Sequence, residues 1–170
     1  MKNLAFERDD RDPKSWLYGE GKWHRRYMRI AKEISTWSSC LSRQVGCVIT
    51  VQNRIVATGY NGAPANIKNC RERGFCLRKG SASGTNLEEC LATHAEQNAV
   101  TQAAKLGISI NGGTLYCTAR PCTTCMKLII NSGIKEVYYA EDYPNELAKE
   151  LAMEAGLLVT FLPLDKCKEV

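Results

Sequence analysis

The sequence predicts an α/β fold in which a five-stranded mixed sheet is covered by helices on both faces, giving three layers. Three observations carry this. The chain has 170 residues, 44% of them hydrophobic and 24% charged, which suits one domain with a sizeable core. Two β-branched runs lie close together in the first third. From Thr93 onward, helical and strand patterns alternate, which makes the later strands parallel.

The elements follow in order. Residues 1–20 are polar and irregular, with Pro13 and Gly19, and read as a loosely held arm before a single domain over 21–170. Residues 22–37 place Trp23, Tyr27, Ile30 and Ile34 at helical spacing, the mark of an amphipathic first helix. The runs VGCVITV (45–51) and RIVATGY (54–60), separated by Gln52-Asn53, predict a β-hairpin. Residues 61–92 carry Gly, Pro, Asn and Ser with no clean period, and so long an irregular segment is uncommon in a compact domain. Thr93 is the expected N-cap of a helix that runs to Lys105 and stops at Gly107. A third strand is expected at 113–118 and a helix at 121–131, with Pro121 in its first position and Gly133 near its end. A strand at 135–140, a helix at 144–155 closed by Gly156, and a strand at 157–162 complete the set.

Composition narrows the function classes. The net charge is +5, but no block of consecutive basic residues marks a nucleic-acid tail. No apolar run approaches the ~18 residues of a membrane span, and the first residues lack a signal peptide's apolar stretch. The expected setting is a reducing compartment, the cytoplasm (a host's, if the source is viral). There, nine cysteines read as metal ligands, reactive thiols or core residues rather than disulfides.

The chemistry concentrates in T-H-A-E at 93–96 and P-C-x-x-C at 121–125, each at the start of an expected helix. Cys122 and Cys125 are three apart and share a helical face. With His94 they offer three ligands and leave a fourth tetrahedral position open, the pattern of a catalytic zinc site. Water on zinc is acidic enough to supply hydroxide near neutral pH. Glu96, in the same turn as His94 but not a ligand, is placed to carry protons. The order H-x-E…P-C-x-x-C is the zinc-deaminase signature. Taken singly, a histidine or a C-x-x-C has ordinary core, redox or structural-zinc readings.

Four segments in this order carry a resemblance: SSCLSRQVGCVI (38–49), RIVATGYNGAP (54–64), THAEQNAV (93–100) and TARPCTTCMKLIINSGIKEVYY (118–139). Over about residues 22–163 the chain resembles the cytidine/deoxycytidylate deaminase superfamily, and within it the deoxycytidylate (dCMP) deaminases. Arg120 departs from the smaller or apolar residue usual there. The resemblance implies the cytidine-deaminase-like fold and hydrolysis of dCMP to dUMP and ammonia, a step toward dTMP. It also implies substrate contacts: Asn61 to the sugar, the Ala95 N–H to the base carbonyl, Tyr143 closing over the nucleotide, and Arg43 or Lys105 to the phosphate. Asn61-Gly62 reads equally as a turn. The resemblance further implies a second, structural zinc at cysteines matching Cys40 and Cys70, with Cys76 and Cys90 nearby to complete it. Cys47 and Cys117 read as core and Cys167 as a free thiol. A homo-oligomer, a hexamer in this family, activated by dCTP with magnesium and inhibited by dTTP, is implied too. The alternatives are another base or nucleoside deaminase of the superfamily, or a zinc-stabilised binding module without catalysis.

Overall fold

The computed structural model describes residues 21–81, 85, 89–142 and 145–167. The expected arm at 1–20 lies outside them. The described elements are α1 (Gly21–Ser35), β1 (Gly46–Val51), β2 (Arg54–Tyr60), α2 (Cys70–Arg73), α3 (Ala95–Leu106), β3 (Thr114–Ala119), α4 (Thr123–Asn131), β4 (Glu136–Glu141), α5 (Glu146–Glu154), β5 (Leu158–Phe161) and a 3₁₀ turn at Leu164–Cys167.

Gln52 and Asn53 both have positive φ (51° and 59°), as a two-residue hairpin turn requires, so β1 and β2 pair antiparallel. The sheet order is β2-β1-β3-β4-β5. β1 runs antiparallel to β3, while β3, β4 and β5 are mutually parallel, which is the mixed five-stranded sheet expected.

Strand alternation divides the core. Cys47, Ile49, Leu115, Cys117, Val137, Tyr139 and Val159 face α3, α4 and α5. Val48, Tyr116 and Tyr138 face α1 and the final turn on the other side. Two glycines set the layer spacing. A Cβ on Gly46 would sit 2.0 Å from the Ala31 carbonyl oxygen of α1, and one on Gly59 would sit 2.2 Å from the Ala95 carbonyl oxygen of α3. Each helix therefore rests directly on strand backbone.

Several details differ from expectation. On α1 the buried face is Tyr27, Met28, Ala31, Ile34 and Ser35, while Trp23 and Ile30 are exposed. Small Ala31 and Ser35 form the seat against Gly46, which rotates the contact line away from the larger side chains. Within the irregular segment lies a short α-helical turn, α2, held by a reciprocal Asn69–Glu72 capping box and ended by Gly74 at φ 76°. His94, not Thr93, is the N-cap of α3, because Thr93 is locked in a backbone bridge with Gly62. Pro121 lies outside α4, whose N-cap is Cys122, and α5 begins after an Asn145 cap rather than at 144.

Candidate metal centre

The two ligand segments meet because two helices start at one edge of the sheet. His94 (φ −69°, ψ 156°) and Cys122 (φ −73°, ψ 171°) are both N-cap residues, extended just before their helices begin. Their carbonyls accept the first helical bonds, from Asn98 and Met126. The Gln97 side chain accepts the His94 N–H at 2.9 Å and steadies that turn. Cys125 is in the first turn of α4 and fully buried. This edge lies beyond the carboxyl ends of β3 and β4, where α/β sheets place their sites.

His94 Nδ1 lies 3.5 Å from Cys122 Sγ and 3.4 Å from Cys125 Sγ. All three donor atoms lie within 4.8 Å of one another, and among the described residues no other group of three or more His, Cys, Asp or Glu is so tight. Zinc bonds of ~2.3 Å to sulfur and ~2.0 Å to nitrogen at tetrahedral angles separate the donors by about 3.6 Å. The residues present therefore fit zinc. The chain's other histidine, His24, is across the sheet, with Nδ1 2.8 Å from the Tyr116 hydroxyl.

Electrostatics agree with that donor set. Hydrogen bonds from Cys125 and His94 bring the Cys122 thiol down to about 4, against the opposing effect of burial. Cys125, beside that thiolate, is pushed far up. The His94 imidazole is raised, first by its hydrogen bond to Cys122. The two helix N-termini add positive potential. Glu96 is buried, at 4% exposure, and stays outside the ligand group. Burial raises its carboxyl above the ordinary range, so it can hold a proton where a surface glutamate would not.

A cavity of about 330 Å³ opens over this centre, with His94, Ala95, Glu96 and Cys122 in its wall. Asn61 and Arg43 line it too. The Asn61 side chain accepts the Val45 N–H and donates to the Arg43 carbonyl, both at 2.8 Å, so it clamps the strand entry as well as facing the cavity. Ala95 is the first residue of α3, where an N–H has no intrahelical acceptor. Arg43 pairs with Glu141 at 2.8 Å. Lys105 is exposed at the opposite end of α3, about 13 Å of helix from Glu96, and is not in this wall. Tyr143 lies outside the described residues.

Cys40, Cys70, Cys76 and Cys90 all line the same cavity. The Cys70 thiol is raised, chiefly by burial and then by the charges of Cys76, Cys40 and Cys90, so the four are electrostatic neighbours. Their sulfurs are more widely spread than the His94 group. Sequence reasoning missed Arg78 as a wall residue and left Arg120 without a contact. Arg120 is buried, pairs with Asp142 at 2.8 Å and lies over the Tyr139 ring. Nothing in the local pattern around Arg78 distinguishes it from a solvated surface cation.

Comparison with known proteins follows the same lines. Residues 21–141 match the model of the cytidine and deoxycytidylate deaminase zinc-binding region. The chain is 37% identical to a deoxycytidylate deaminase of Saccharomyces cerevisiae over 152 residues, covering 89% of this chain and 48% of that protein. It is 44% identical to one from Schizosaccharomyces pombe over 123 residues, covering 71% and 38%. It thus spans about half or less of these relatives' lengths. A dCMP deaminase of the cyanophage S-TIM5, solved in complex with dCMP and dUMP, superposes with a TM-score of 0.72 at 31% identity, covering 85% of this chain and all of that one.

Proposed function

The chain belongs to the cytidine and deoxycytidylate deaminase family, and from that premise we propose that it hydrolyses dCMP to dUMP and ammonia. The observation that carries the reading is one His nitrogen and two Cys sulfurs converging on a point beside a buried, unligated carboxylate. The substrate is favoured by the dCMP-binding phage neighbour and by the two yeast relatives.

His94, Cys122 and Cys125 would hold zinc, which when bound supplies the Lewis acidity that activates water at neutral pH. Glu96 takes one proton of the attacking water and delivers it to the ring nitrogen N3, then takes the hydroxyl proton of the C4 adduct and delivers it to the 4-amino group, so that the C4–N bond breaks, the C4 carbonyl forms and ammonia leaves. Its raised proton affinity suits a group that must accept and release within one turnover. The Ala95 N–H holds the base carbonyl, Asn61 meets the sugar, and Tyr143 closes over the nucleotide. Arg43 takes part at the phosphate end, and Lys105 does so only from a second copy of the chain, given its place at the far end of α3. The cavity's four further cysteines form a second, structural zinc site.

The reading extends to a cytoplasmic homo-oligomer, a hexamer, activated by dCTP with magnesium and inhibited by dTTP; the family motifs at 38–64 support it. The test is ammonia release over a panel of cytosine and adenine nucleotides and nucleosides, with Glu96→Ala as the control. dCMP should be turned over far faster than deoxycytidine. Glu96→Ala should lose about 10²- to 10⁴-fold in rate while keeping zinc and fold. The dCMP saturation curve should be sigmoidal alone, hyperbolic with dCTP and magnesium, and suppressed by dTTP. Turnover of a different base, or none, overturns the reading.

A further inference from the structure

Part of the cavity wall comes from outside the two metal-ligand helices. Cys40, Ser42, Arg43 and Val45 supply it from the loop between α1 and β1, and Asn61 supplies it from just after β2. The loop holds Asn61 by its backbone and by its side chain. The Asn61 N–H donates to the Val45 carbonyl at 3.1 Å. Its side-chain oxygen accepts the Val45 N–H and its side-chain nitrogen donates to the Arg43 carbonyl, both at 2.8 Å. The Asn61 carbonyl accepts the Ser38 hydroxyl at 2.7 Å.

Ser38 is the pivot of this network. It is 1% exposed and is not itself in the cavity wall. Its N–H donates to the Ser35 carbonyl at the end of α1, at 3.1 Å. The hydroxyl that donates to Asn61 also accepts the Cys40 N–H at 3.2 Å, and the Gln44 side chain donates to the Ser38 carbonyl at 3.0 Å. One buried hydroxyl thus joins the wall loop to the end of β2. A side-chain amide has two N–H donors and two acceptor lone pairs. Asn61 uses one of each on backbone, which fixes the amide plane and gives the remaining N–H and lone pair a set direction.

We infer that Ser38 is a positioning residue for the deamination: by holding the Asn61 carbonyl and the Cys40 N–H together, its hydroxyl aims the Asn61 amide into the cavity and so sets substrate affinity. This rests on the proposed reaction and on Asn61 meeting the sugar. Without the hydroxyl, the Asn61 carbonyl and the Cys40 N–H lose their shared partner in a site with almost no access to water. Both must then move to find new partners, which tilts the amide. The metal ligands stand on the starts of α3 and α4 and make no bond to Ser38. A tilt confined to Asn61 therefore weakens binding and spares the chemistry. A shift that travelled on through the adjoining Gly62–Thr93 bridge to His94 would instead lower kcat and zinc content.

The test is steady-state kinetics on dCMP, with zinc counted in each preparation, of the wild type, Ser38→Ala, Ser38→Cys, Asn61→Ala and the Ser38→Ala/Asn61→Ala double variant. Ser38→Ala should raise KM about 3- to 10-fold, with kcat and zinc content kept. Ser38→Cys fills the same space with a weak donor and should fall in between; it carries the same readout if Ser38→Ala does not fold. In the Asn61→Ala background the carbonyl remains but there is no amide to aim, so adding Ser38→Ala should raise KM no further. Independent, multiplying rises in KM overturn the route through Asn61. An unchanged KM in Ser38→Ala overturns the inference and leaves the dCMP reaction standing. A fall in kcat and zinc together overturns it in favour of a purely structural role. A wild type that does not deaminate dCMP removes the reaction itself, before any variant is compared.

Discussion

Two cysteines show how far surroundings decide the behaviour of one side-chain type. Cys122 is brought to about 4 because Cys125 and His94 donate to its sulfur at a helix start. Cys167 is pushed up to about 11 by burial, with Arg25 and Arg29 opposing and Asp165 assisting. One is prepared to be a thiolate ligand and the other is a core residue, packed with Tyr27, Met28 and Leu162. Only Cys122 was legible: the C-x-x-C spacing marked it, whereas Cys167, expected to be a free thiol, is buried, and nothing local announced this because its cover is α1, over 130 residues away. The shift carries a pH dependence. Unfolded, the Cys167 thiol ionises near its ordinary 9; folded, it holds its proton to about 11. Between those values the unfolded chain binds fewer protons, so stability falls as pH rises. The stability is present in full below pH 9, and about 2 kcal/mol of it is lost by pH 11. Urea denaturation of the wild type and Cys167→Ala from pH 8 to 11 should show the wild type's stability falling relative to the variant's. Parallel curves would mean that the buried thiol is not the source.

At the scale of elements, the site depends on where α3 and α4 begin, and those starts depend on contacts that no local pattern announces. The helices themselves were readable from periodicity and from Gly107 and Gly133. The N-cap of α3 was misplaced by one residue because the Gly62–Thr93 bridge, a pairing across 31 positions, removes Thr93 from capping. The edge strand β2 is also covered by α3: Gln102 accepts the Thr58 N–H and Asn98 donates to the Tyr60 carbonyl, which blocks strand addition there. Beneath both sits Gly59. An alanine Cβ would meet backbone atoms of α3 at 2.2 and 2.5 Å, and backbone cannot rotate away, so the whole helix must lift. Gly59→Ala should cost about 1–3 kcal/mol and, by displacing His94 and Glu96, on the order of 10²-fold in activity. Gly46→Ala provides the contrast. It strikes α1 on the opposite face, at 2.0 and 2.5 Å from Ala31 and Ser35 backbone, and should cost similar stability with activity largely kept. Denaturation midpoints and deaminase rates of the two variants separate the cases; equal losses of activity would show that the spacing of α3 is not what positions the ligands.

For the whole molecule, the question is how one cavity draws on so many separated segments. The sheet's carboxyl edge gathers the ends of β2, β3 and β4 and the starts of α3 and α4, which explains why the metal ligands were legible: they sit in short motifs fixed to regular elements. The cavity's remaining wall comes from Cys40, Ser42, Arg43 and Val45 and from described residues of the long segment between Asn61 and Thr93, among them Cys70, Cys76 and Cys90. Closing a loop with the Gly62–Thr93 bridge and fixing the turn of α2 inside it costs conformational entropy on folding. Four cysteines gathered on that cavity offer a compensating term if they bind zinc, because metal binding there becomes folding free energy. The expected stoichiometry is two zinc ions per chain, released by mercurial titration in the presence of a chromogenic chelator. Cys122→Ser with Cys125→Ser should remove one ion and all activity. Cys70→Ser should remove the other and expose the 61–92 segment to limited proteolysis. A wild-type count of one, with Cys70→Ser unchanged in metal content and protease resistance, would show that these cysteines hold no second ion.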